Sequence, residues 1–321
     1  MIRRKRGRGS LDKQAKRSPL GALLLGLAAF IWGTAFVAQT VGMDHLGPCA
    51  FNAVRSFIGG TALLPAALIS VKLERRKGAA QPEEALPFWK KHRTLVLGGV
   101  ICGLLLGTAS LLQQTGLKTV SPGKAGFLTA LYIVLVPVLG CFFGKIPGWK
   151  VWAAVAAALI GVWFLSVREE SFSIAPGDIL VLLCSLVFSF HILAVDRVSP
   201  SVNGVALSCM QFFVAGIFSL PFALLTETIR WGDILSAWAP LLYTGVLSSG
   251  VAYTLQILGQ KNTEPTVASL IMCLESVFAV LAGWVVLGDA LLPREILGCV
   301  LMFGAVVLAQ FPDRKTGLKN T

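Results

Sequence analysis

Charge is scarce in this 321-residue chain: Asp, Glu, Lys and Arg make up 14% of it, against about 25% in a soluble domain. The mean hydropathy is +0.75. A soluble enzyme, a secreted disulfide scaffold and a disordered chain are thereby excluded. Several motifs are missing too. There is no G-x-x-x-x-G-K-[ST] loop, no H-E-x-x-H and no G-x-S-x-G. A pump driven directly by ATP and a membrane protease are therefore not expected. The seven cysteines (Cys49, Cys102, Cys141, Cys184, Cys209, Cys273, Cys299) form no C-x-x-C pair and mostly sit in apolar runs. They read as small packing residues rather than disulfides or metal ligands. No cofactor and no metal is expected.

Long uncharged stretches take up most of the rest. A hydrocarbon layer about 30 Å thick needs about 20 apolar residues in a helix. Ser18–Met43, Thr94–Leu117, Ala125–Gly144, Val151–Val167, Ile179–Val195, Val198–Thr226, Ile234–Gln260 and Ile296–Pro312 lack any charge. Pro48–Val71 carries Arg55 alone, and Pro265–Gly288 carries Glu275 alone. Ten spans are expected, joined by short loops, in an all-α integral membrane protein. The first span is too long for a signal-peptide core, and no A-x-A site follows it.

Ten is even, so both ends face one side. If that side is the cytoplasm, 22 basic residues lie inside and five (Lys118, Lys124, Arg168, Arg230, Arg294) outside. The inner set is concentrated in a basic tail, 1–17, and in the segment Lys72–Arg93. This is the positive-inside asymmetry. It accounts for the net charge of +12 without nucleic acid. The tail serves as a topology anchor on the anionic leaflet. A multi-pass protein of the cytoplasmic membrane with both termini cytoplasmic is expected.

The two halves resemble each other. At an offset of 156, Gly21 matches Gly177, Phe57 matches Phe213, Gly60 matches Gly216 and Pro65 matches Pro221. At an offset of 143, Gln113-x-x-Gly116-x-Lys118-x-x-x-Pro122 matches Gln256-x-x-Gly259-x-Lys261-x-x-x-Pro265. Four different residue types recur there at one spacing. The expected organisation is a tail (1–17), a first five-helix repeat (18–167), a second (177–311) and a second tail (312–321). Five is odd, so the second repeat enters the membrane from the opposite side. Two inverted repeats around a central cavity have two near-equivalent packings, which is the basis of alternating access.

The chain resembles the drug/metabolite transporter superfamily, of the bacterial EamA type. Trp32-Gly33, Arg55, the stretch from Leu112 to Val136-Pro137, Gln256 through Pro265, Leu274-Glu275 and Leu287-Gly288-Asp289 carry the resemblance. It covers roughly residues 20–311. It implies ten spans, cytoplasmic termini and transport of small metabolites, often efflux of amino acids or related compounds. Family members often have Leu-Glu-Pro where Leu274-Glu275-Ser276 stands, and Glu in place of Asp289. Without that proline, a family-style kink in span nine is not expected.

Few residues can carry chemistry. A charge at the centre of a span costs about 2.5–3.5 kcal/mol on insertion scales. Glu275 lies midway along its span, either as a proton site or counter-charge in a cavity, or as a packing hydrogen bond. Arg55 either forks onto a substrate carboxylate or makes a structural pair or snorkels. His191 either titrates or packs as a neutral ring. Trp32, Tyr132 and Tyr253 sit inside spans rather than in the interfacial belt, and a wet cavity would supply their hydrogen-bond partners. Gln113 and Gln256 are repeat mates that line a cavity or bridge helices. Gln39, Asn52 and Gln211 are similar but weaker candidates. The glycines at 99, 103 and 107 share one face, for close helix packing.

The expected function is a secondary carrier for a small organic metabolite, with proton coupling open. A membrane-embedded transferase would need several convergent nucleophiles or carboxylates, and Glu275 stands almost alone. A lipid scramblase would need a polar stripe open to lipid, and none is evident.

Overall fold

The computed structural model describes residues 18–80, 88–120, 122–144, 146–166, 175–261, 263–282, 284–285 and 292–311. The basic tail, the C-terminal tail, Lys145, Arg168 and Leu287-Gly288-Asp289 lie outside the described residues. The chain runs α1 (Pro19–Met43), α2 (Pro48–Ala80), α3 (Phe88–Gly116), α4 (Pro122–Ala130), α5 (Tyr132–Phe142), α6 (Trp149–Ser166), α7 (Pro176–Val198) and α8 (Gly204–Thr226). Then come α9 (Trp231–Ser236), α10 (Trp238–Leu242), a π-helical stretch (Tyr243–Ala252), α11 (Tyr253–Gln260), α12 (Pro265–Met272), α13 (Leu274–Ala282) and α14 (Pro293–Gln310). Among the described residues nine helical segments are apolar over at least 18 residues, and Trp149–Leu165 supplies a shorter tenth.

Local chemistry sets the helix starts. Ser18 Oγ accepts from the Gly21 amide, and Asn203 Oδ1 accepts from the Ala206 amide. Each satisfies one orphan donor of the first turn. Asp178 and Glu295, three residues in, take the amides of Ala175 and Leu292, and prolines 176 and 293 stand at the first turn. Leu20, Leu225, Val300 and Phe142 point outward, 63%, 83%, 63% and 82% exposed. Rows of such side chains are stable only against lipid.

The halves pack through one another. A Cβ on Gly60 would stand 3.1 Å from the Phe213 ring, and one on Gly216 would stand 3.1 Å from the Phe57 ring. These contacts exchange under the 156-residue offset. Asn52 with Ser219 and Ser70 with Asn203 continue the series. As α2 advances, its partner on α8 retreats, so the two helices are antiparallel. Equivalent helices that cross antiparallel are related by a two-fold axis perpendicular to them, and for spans that axis lies in the membrane plane. The ends repeat the pattern: Gly21 on α1 abuts the Gly259 carbonyl, and Gly177 on α7 abuts the Gly116 carbonyl. The glycines at 99, 103 and 107 seat Met210, Val214 and Phe218 of α8.

Spans four and nine are both broken, at Leu131 and Cys273. The absence of a proline at the break therefore did not keep span nine continuous. Cys273 Sγ donates to the Ala130 carbonyl at 3.6 Å. That carbonyl is exposed by the break, and the contact joins two positions related by the repeat offset of 143. A pair of mates in contact marks the two-fold axis. Broken helices at mid-membrane are tolerated where the freed groups find protein or a cavity.

Candidate solute cavity

A pocket with about 710 Å³ of empty space, part of it open to solvent, lies between the two halves. The structure brings Trp32, Arg55, Gln113, Tyr132, His191, Tyr253, Gln256 and Glu275 together on its wall. They come from α1, α2, α3, α5, α7, α11 and α13, so no local stretch of chain builds the site. Fourteen of the lining residues form seven repeat pairs. These are Trp32/Phe188, Phe36/Ile192, Ser56/Phe212, Ser110/Tyr253, Gln113/Gln256, Thr129/Met272 and Tyr132/Glu275. The sequence reading passed over Phe36, Ser56, Ser110, Thr129, Phe188, Phe212 and Met272. Applying the repeat offset to the residues it chose would have found Phe188 and Ser110. Ser248 and Ser249, also on the wall, lie in the π-helical stretch, which no sequence signal announced.

Tyr132 donates its hydroxyl to Glu275 Oε1 at 3.3 Å. These two are mates and touch each other, so they sit on the axis beside the breaks. Glu275 is 8% exposed and, among the described residues, is the only carboxylate on the wall. Tyr253 of α11 and Cys184 of α7 are within electrostatic reach of it.

Arg55 does not reach for the surface. Its Nη1 donates to Gln39 Oε1 at 2.8 Å and its Nε to Asn52 Oδ1 at 3.0 Å. Asn52 in turn donates to Ser219 at 2.9 Å, and the guanidinium lies 5.8 Å from the Phe51 ring centroid. This frame aims the fork, whose geometry matches a carboxylate. No ion pair joins Arg55 to Glu275 among the described residues.

The aromatic residues form a stack. Tyr253 packs edge-on against Trp32 at 4.7 Å, Phe212 at 5.2 Å and His191 at 6.1 Å. Trp32 Nε1 donates to the Ser248 carbonyl at 3.3 Å. A π-helix leaves carbonyls displaced from their usual acceptor register, and this one serves the indole. His191 Nε2 meets Gln211 Oε1 at 3.1 Å. Gln113 Nε2 donates to Thr129 across helices at 3.2 Å. Among the described residues no three His, Cys, Asp or Glu side chains group as a metal site.

In the comparisons with known proteins, the chain is similar twice over, at residues 19–167 and 175–311, to the EamA-like transporter family. An uncharacterized transporter of Archaeoglobus fulgidus is 32% identical over 88% of this chain and 83% of its own. The threonine/homoserine exporter RhtA of Escherichia coli is 25% identical over 98% and 97%. The S-adenosylmethionine/S-adenosylhomocysteine transporter of Chlamydia muridarum is 23% identical over 89% and 92%. A solved crystal structure, 20% identical, superposes over 90% of this chain and 96% of its own with a TM-score of 0.70, a likeness of fold.

Proposed function

The chain belongs to the EamA-like transporter family, and from that premise we propose that it is a secondary permease for a small solute carrying an α-amino-acid group. The carrying observation is the wall of the cavity. Among the described residues one cation, Arg55, and one acid, Glu275, face the same space without pairing. A zwitterion presents a carboxylate and an ammonium to such a wall and completes both. The two relatives with named solutes take threonine, homoserine, S-adenosylmethionine and S-adenosylhomocysteine, all of which bear that group.

Alternating access follows from the inverted halves: each can take the packing of the other, and the cavity then opens to the opposite face. With both termini in the cytoplasm and no ATP-binding loop in the sequence, uncoupled movement follows the solute gradient. For a metabolite made inside the cell that direction is outward. Glu275 is also the group on which proton coupling would rest. The titratable or charged groups around it are Tyr132, Tyr253, Cys184, Cys273 and His191, with Arg55 across the cavity.

The test is flux of labelled L-threonine, L-homoserine and S-adenosylmethionine in proteoliposomes, with and without a pH gradient. Saturable flux of at least one, lost in Glu275→Gln, is expected. Flux of none overturns the amino-acid reading. Wild-type flux and pH response in Glu275→Gln overturn the role of that residue.

A further inference from the structure

Arg55 and Gln211 are the same position of the repeat, 156 residues apart. Because α2 and α8 are antiparallel, the two side chains stand at opposite depths. Each is about one turn from the centre of the crossing, midway between the Phe57/Gly216 and Gly60/Phe213 contacts, so about 10 Å separates them along the helices. Arg55 bonds to Gln39 of α1, and Gln211 bonds to His191 of α7, the repeat counterpart of α1. Each end of the cavity therefore carries one polar pair between equivalent helices. One pair is charged and the other is neutral.

The two ends are also in different states. Gln39, Asn52 and Arg55 line the cavity. Their repeat mates Val195, Ser208 and Gln211 are all 0% exposed. The cavity thus reaches Gln39, Asn52 and Arg55 at one end, while at the other it stops at the His191 ring, and Gln211 lies closed off behind that ring. There Gln211 Nε2 and His191 Nδ1 are buried with no hydrogen-bond partner among the described residues. With Gln211 Oε1 as acceptor, the neutral imidazole carries its proton on Nε2. Nδ1 then keeps a lone pair and Gln211 Nε2 its amide hydrogens, neither with a partner among the described residues. Buried polar groups normally have partners, and leaving them idle is costly. Exchange of the two packings would unseal this end and offer both groups to the solute.

We propose that His191 and Gln211 form the second polar subsite of the cavity, the uncharged counterpart of the Arg55 subsite, used when the protein opens to the other face. A hydrogen bond to a charged donor is roughly twice as strong as a neutral one. A carboxylate-bearing solute is therefore held more tightly from the Arg55 face, by about tenfold in half-saturation. Equal solute on both sides can drive no net flux. At equal pH, turnover from the His191 face must therefore be higher by the same factor. The protein works as an overflow valve on that face, engaging only when solute accumulates there.

This inference takes its probe from the amino-acid reading above. The experiment uses proteoliposomes sorted to one orientation through a terminal tag. Half-saturation is measured from each face with L-threonine and with L-threoninol, which lacks the carboxylate. About tenfold higher half-saturation from the His191 face is expected for L-threonine, and none of that difference for L-threoninol. The exchange variant Arg55→Gln/Gln211→Arg should reverse the L-threonine difference; should it not fold, the two probes on the unmodified protein decide. Equal half-saturation on both faces, or a difference that persists for L-threoninol, overturns the neutral subsite and leaves the amino-acid reading standing. No saturable flux of either probe defeats that reading, and this inference with it.

Discussion

The two halves of the molecule share a chain path but not a chemistry. Where the first half places Tyr132, the second places Glu275, and the two meet on the axis. Where the first half has Gly33, whose Cβ would stand 2.6 Å from the Glu275 carbonyl, the second has Ser189. The segment 100–109 is α-helical, while its counterpart Tyr243–Ala252 is a π-helix. The N-terminus of α2 is capped across the interface by Glu227, through the amides of Cys49 at 2.9 Å and Ala50 at 2.7 Å. That of α8 is capped by its own Asn203. Duplication supplies the scaffold, because packing of small residues tolerates drift. On the cavity wall charge stands on one copy of each pair, Arg55 against Gln211 and Glu275 against Tyr132; at the axis, where Tyr132 and Glu275 touch, two like charges would repel in a medium that screens poorly.

The sharpest way to break this comparison is at the axis. Glu275→Gln should lower solute flux by about tenfold or more, the scale of one charge-assisted contact. Tyr132→Phe, which removes only a hydroxyl from the mate, should stay within about threefold. Flux assays of the two variants side by side check this, and equal losses would mean that the position and not the charge matters.

A smaller effect is expected at the helix crossing. Gly33→Ala drives a methyl against backbone of α13 and should cost about 1–3 kcal/mol. Ser189→Ala should cost under about 1 kcal/mol, the net worth of its bond to the Ser185 carbonyl. Thermal unfolding in detergent separates them. The smallest effect is at the caps. Glu227→Ala and Asn203→Ala should each cost about 1 kcal/mol. Only the first should shrink with added salt, since only Glu227 brings a charge to a helix N-terminus.

Much of this was legible in the residues. The boundaries of α1, α6 and α14 follow the uncharged runs within a few positions. Trp32, Tyr132 and Tyr253 stood out because amphipathic rings are misplaced in mid-span. Glu275 and Arg55 stood out because charge is costly there. Gln211 carries only a weak sequence signal, since an amide in a span is as often a bridge between helices. Its meaning came from its register with Arg55, and from the seal that buries it. The breaks at Leu131 and Cys273 had no signal, because neither glycine nor proline marks them. They arise where two chain segments cross so closely that a thiol replaces part of the helical ladder.

Spans, duplication and the inverted relation of the halves were determined by the sequence alone. Each rests on composition or counting along the chain, and the cost of placing a charge or a bare amide in hydrocarbon is paid locally. Which polar groups pair, which end of the cavity is sealed, and where a span becomes π-helical were decided only by the tertiary structure. Those depend on distances between residues far apart in the chain. Two near-equivalent packings satisfy the same hydrophobic pattern, and only the assembled contacts select between them.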